Sequence, residues 1–116
     1  MTDGLKERHR KAVIDIIAAN ARVERAVLFG SRATGTFTPV SDVDLALFGD
    51  RLSMSDQVTL TAAIDDLTIP QRVHLLLYGM IDSNALRNQI ETQGVEWYRR
   101  RDTGVRDRPD RDAGAG

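Results

Sequence analysis

The stretch VLFGSRATGTFTPVSDVDLAL, residues 27–47, decides how the rest of the chain is read. Its first residues close an apolar, β-branched run over residues 23–29 that is too short for an independent helix and stops at Gly30, which predicts a strand. Between residues 31 and 41, Gly35, Pro39 and several threonines favour turns and a short helical piece. Residues 42–48 then alternate. Val43, Leu45 and Leu47 fall on one face of a strand and Asp42 and Asp44 on the other, because successive strand side chains point to opposite faces.

Outward from this unit the periodicity changes. Leu5, Ala12, Val13, Ile16 and Ile17 recur at the spacing of one buried helix face over residues 5–20. Ser53 with Asp56 forms a capping pair ahead of Val58, Leu60, Ala62, Ile64 and Leu67, and Pro70 closes that helix. Residues 73–78 are apolar apart from His74 and end at Gly79, the length of a strand. Asp82 or Ser83 caps a helix through Leu86 and Ile90 to Gln93, and Gly94 suits a left-handed residue just past its end. A short strand is expected over residues 95–98, with Trp97 and Tyr98 anchoring it or meeting a partner. The sum is an α/β (α+β) domain, a small mixed sheet with helices packed on it, over residues 1–98. Residues 99–116 mix charge with Gly and Pro and read as a disordered charged tail.

At 116 residues the chain is one domain's worth, without room for a large substrate domain. Its 16 basic and 17 acidic residues nearly balance, so no field of one sign draws it to nucleic acid or an anionic membrane. The six arginines from Arg99 onward are interleaved with four aspartates, so direct nucleic-acid binding is not expected of the tail. The absence of cysteine removes disulfides, thiolate metal sites and a thiol nucleophile. With a polar N-terminus and no long apolar run, a cytoplasmic protein is expected.

The chemistry lies in Gly30-Ser31 and Asp42-Val43-Asp44. Two carboxylates on one strand face can hold one divalent cation or bridge two. A Gly-Ser turn after a strand lets backbone N–H groups and a hydroxyl close around phosphate oxygens. Gly30-Ser31, ten residues, then Asp42-x-Asp44 resembles the signature of the polymerase β-like nucleotidyltransferase superfamily, and GSRATGTFTPVSDVDLALF resembles its minimal nucleotidyltransferases, the MntA-like antitoxins. That resemblance covers residues 5–98 and is specific from 27 to 47. It implies the polymerase β-like fold, Asp42 and Asp44 as catalytic and metal-holding residues, and Gly30, Ser31 and Arg32 at the nucleotide. It also implies Mg2+, ATP as substrate and a HEPN RNase toxin as partner in a hetero-oligomer. The implied reaction is transfer of AMP to a tyrosine hydroxyl of the toxin, disarming it.

The superfamily usually supplies a third acid from the next strand, and here that position is His74. An imidazole can act as general base or bind metal, yet it is a poorer magnesium ligand than a carboxylate. It can equally be a surface residue making packing contacts alone. Two functional expectations follow: a protein adenylyltransferase, and a weakly active or non-catalytic antitoxin that acts by complex formation. An antibiotic-modifying transferase shares the signature but would need a second domain to shape its acceptor pocket.

Overall fold

The computed structural model describes residues 4–100, and its elements follow the sequence pattern closely. They run α1 (Glu7–Ala18), β1 (Arg25–Phe29), α2 (Ser31–Thr34), β2 (Val43–Phe48), α3 (Met54–Asp65), β3 (Val73–Leu77), α4 (Asn84–Gln93) and β4 (Val95–Arg99), with a 3-10 turn at Tyr78–Met80 after β3. The strands form one mixed sheet in the order β3-β2-β1-β4. β1 is antiparallel to both its neighbours, and β2 and β3 are parallel. That parallel pairing needs a crossover, and α3 supplies it.

Each face of the sheet has its own core. On one face Ala26, Leu28, Val43, Leu45, Leu47, Leu75 and Leu77 meet Val13 and Ile17 of α1 and Leu60 and Ile64 of α3. On the other, Val27, Phe29 and Ala46 meet Ile90 of α4. The inner strands β1 and β2 are therefore buried on both sides, which is why they read as dense apolar runs. α4 covers only part of its face. Asp44 and His74 project from that same face, where polar residues replace apolar ones in the β2 and β3 rows.

Three expectations change. Val58 does not face the core: it is 66% exposed, beside the similarly exposed Met54, because Leu60 and Ile64 already fill the space under α3. Gly94 is extended, at φ −70° and ψ 154°, not left-handed. Its glycine is needed for close approach, since a Cβ there would lie 2.3 Å from the Ile90 carbonyl oxygen and 2.4 Å from Val27 Cγ1. The folded domain also reaches beyond residue 98, as Arg99 closes β4. The Arg100 guanidinium donates to the carbonyls of Ala18 (3.1 Å), Asn20 (2.9 Å) and Val23 (3.0 Å), satisfying acceptors left over at the end of α1. The rest of the expected tail, residues 101–116, lies outside the described residues.

The start of α3 holds as read. Asp56 Oδ2 accepts from the Ser53 amide at 3.0 Å, and the Ser53 hydroxyl accepts in turn from the Asp56 amide, closing a capping box. Asp56 also receives Asn20 Nδ2 at 3.2 Å and Arg22 Nη1 at 3.1 Å, so one carboxylate joins α3 to the end of α1. The Ser53 backbone bond, with Asn20, holds its pKa below the ordinary aspartate value of 3.8. A depressed carboxylate adds stability above that value and loses it as pH falls through the lower folded value. The Asp56→Asn variant is therefore expected to show a shallower loss of thermal stability in the acid limb than the parent, measured by melting temperature against pH.

Candidate active site

Gly30 ends β1 and opens α2 at φ +78°, a conformation that side chains rarely adopt. The space is closed as well: a Cβ on Gly30 would stand 2.8 Å from Asp44 Oδ2. Phe29, Asp44 and His74 lie in one register row across β1, β2 and β3. Ser31 begins α2 directly after the turn, and Thr34 Oγ1 reaches back to the carbonyls of Gly30 and Ser31, each at 3.4 Å. Asp42 precedes β2, and both carboxylates face the imidazole of His74. His74 Nε2 stands 3.6 Å from Asp42 Oδ2, and His74 Nδ1 stands 3.6 Å from Asp44 Oδ1. The structure thus brings Gly30, Ser31, Asp42, Asp44 and His74 to one end of the sheet.

Arg32 is placed otherwise than expected. It is buried, at 2% exposure, and turned into the loop between α2 and β2 rather than out to solvent. Its Nε and Nη2 donate to the Ser41 carbonyl at 3.1 and 3.0 Å, and Nη2 also reaches the carbonyls of Thr38 and Pro39. Its guanidinium lies 4.9 Å from the centre of the Phe37 ring. A fork of fixed donors suits such a set of carbonyls, and the desolvated charge is compensated by them. Ser41 fixes the same loop, its hydroxyl accepting from the Thr38 amide at 2.9 Å. The parts that sequence reasoning missed are Phe37 and Thr34, whose signals were a lone aromatic in a threonine-rich loop and a threonine four residues after the turn glycine.

The electrostatics favour a cation. Burial pushes the Asp44 carboxyl above its ordinary pKa, His74 opposes that, and the neighbouring Asp42 adds to it. The pair therefore resists its own negative charge, and its hard oxygen donors fit a divalent ion such as Mg2+. Among the described residues no three His, Cys, Asp or Glu side chains are arranged to hold an ion.

The sequence matches the family model described as polymerase beta, nucleotidyltransferase, over residues 11–103. The chain belongs to this nucleotidyltransferase family. Its fold is also that of several solved structures. A toxin-antitoxin complex with AMP-PNP contains a chain matched at 24% identity and a TM-score of 0.62, over 79% of this chain and 74% of that one. A tri-AMPylated Shewanella oneidensis HEPN toxin in complex with an MNT antitoxin matches at 18% identity and 0.63, over 83% and 74%. The MntA-HepT toxin-antitoxin structure matches at 20% and 0.61, over 82% and 74%. At these identities the likeness is one of fold. Among curated proteins the chain has no match. No helix among the described residues is long and apolar enough to cross a membrane.

Three outcomes test the nucleotidyltransferase site. Arg32→Met should cost on the order of 2–3 kcal/mol in equilibrium denaturation, because buried carbonyls lose a charged donor. Asp44→Asn should melt at a higher temperature than the parent, since a partly buried charge is removed. Mg2+ with a non-hydrolysable ATP analogue should raise the melting temperature of the parent and not that of Asp44→Asn.

Proposed function

We propose that this chain is a nucleotidyltransferase antitoxin, working as a cytoplasmic hetero-oligomer with a HEPN-type RNase toxin. It moves AMP from ATP to a tyrosine hydroxyl of that toxin and so neutralises it. The observation that carries this reading is the row Phe29, Asp44, His74, with the Gly30-Ser31 turn directly after Phe29 and closed against Asp44. Support for the partner comes from the toxin-antitoxin complexes that share the fold, one with AMP-PNP and one with an AMPylated toxin.

The Gly30-Ser31 turn, with its backbone N–H groups and the Ser31 hydroxyl, receives the triphosphate. Asp42 and Asp44 would hold Mg2+, which when bound neutralises phosphate charge and orients the α-phosphoryl group. The acceptor hydroxyl oxygen forms a bond to the α-phosphorus, the bond to the bridging oxygen breaks, and pyrophosphate leaves. The proton released from the hydroxyl passes to the His74 imidazole, which stands where a third acid is usual. Gly30 and Asp44 do the positioning in this scheme, because the close contact between them sets how near the phosphates lie to the carboxylates.

A second reading is favoured by the 3.6 Å approach of His74 to both carboxylates, which puts an imidazole between them in place of a third negative charge. On that reading the chain neutralises by binding alone. Incubation with ATP, Mg2+ and the neighbouring-gene toxin separates the two. Transfer gives a toxin adduct of AMP mass in intact mass spectrometry, and Asp44→Asn abolishes it. Binding alone gives no adduct at any toxin ratio, and neutralisation survives in the folded Asp42→Asn, Asp44→Asn double variant.

A further inference from the structure

Beside His74, between the start of β3 and the end of α3, lies a groove of about 560 Å³ lined by Thr61, Asp65, Arg72, Val73 and His74. We infer that this groove admits the acceptor segment, and that Arg72 selects a hydroxyl flanked by an acidic side chain. The inference rests on the transfer reading above and adds the acceptor's side of the site.

The direction of attack follows from the sheet. The register row runs Phe29, Asp44, His74, so the Gly30-Ser31 turn, which directly follows Phe29, lies on the β1 side of Asp44 and His74 on the β3 side. Adjacent strands are ~4.8 Å apart, so the two flanks are separated by the width of one strand on each side of Asp44. With the triphosphate in the turn, pyrophosphate leaves toward β1. An in-line displacement then requires the hydroxyl to arrive from the opposite flank. His74 forms part of the groove wall at the β3 edge and stands 3.6 Å from each carboxylate, so this one side chain links the groove to the reacting centre.

The charges of the groove are uncommitted. Arg72 and Asp65 form no ion pair with each other or with any other group among the described residues, and Arg72 engages β2 only through its backbone, where its carbonyl accepts the Val43 amide at 2.8 Å. Arg72 immediately precedes β3 and lines the same groove as His74, two residues on, so a cation stands close to where the hydroxyl must come. An acidic residue beside the acceptor hydroxyl meets Arg72, and a basic residue there is repelled by it. The far end of the groove, at Asp65 on α3, has the opposite preference, which fixes the direction in which a chain segment runs.

The test uses the full chain with Mg2+ and AMP-PNP, and three short fluorescent peptides in which tyrosine is flanked by aspartate, alanine or lysine. The aspartate peptide should bind about fivefold more tightly than the lysine peptide, the scale of a partly exposed ion pair. Arg72→Glu should reverse that order, and Thr61→Trp, which fills the groove, should weaken all three. AMP-PNP affinity, titrated separately, should be the same in every variant. An order of peptide affinities unchanged by Arg72→Glu overturns the inference, as does absence of peptide binding by a parent protein that binds AMP-PNP. Failure of the parent to bind AMP-PNP overturns the transfer reading together with the groove.

Discussion

The site depends on how closely the Asp44 carboxylate approaches the backbone of Gly30. A Cβ at that position would stand 2.8 Å from Asp44 Oδ2, and the backbone turns there at a positive φ. Only glycine satisfies both conditions without displacing the carboxylate or the turn. β1 and β2 are neighbours in the sheet, so the row that holds Asp44 in place also holds the turn against it. The Gly30-Ser31 turn and the Asp44 carboxylate are thus parts of one unit, and neither can be moved without the other.

The treatment of charge around that unit is consistent. Arg32 is the cation nearest to the turn in sequence, and a surface arginine there would pair with Asp42 or Asp44 and neutralise them. Its guanidinium is instead buried among the carbonyls of Thr38, Pro39 and Ser41, where it orders the loop that delivers Asp42. Among the described residues the imidazole of His74 faces both acids, and burial keeps the Asp44 carboxyl above its ordinary pKa. Such a site gains most when an external cation arrives.

Much of this was legible in the sequence. The alternation of residues 42–48 assigned Asp42 and Asp44 to one face, and Ser53 with Asp56 marked the start of α3, both through local rules of period and capping. What escaped depends on contacts distant in the chain. Gly94 followed a helix and looked like a left-handed terminus, but the constraint on it comes from Val27, across the sheet. Arg32 looked like a ligand because it sits in a signature loop, whereas its direction is set by carbonyls six to nine residues further on. Val58 kept helical spacing with its neighbours, yet helical spacing alone does not say which of two apolar stripes the sheet will cover. The groove at Arg72 gave no sequence signal, since it exists only where α3 ends beside β3.

Arg100 gives the fold a temporal consequence. Its guanidinium holds the carbonyls at the end of the first helix, and the strand just before it completes the sheet beside β1. The earliest and latest parts of the described chain are therefore direct neighbours. During synthesis the N-terminal helix and the first hairpin can form, but β1 keeps an unpaired edge until the last strand emerges. The Gly30-Ser31 turn, which grows out of that same β1, acquires its final support only when residue 100 has left the ribosome.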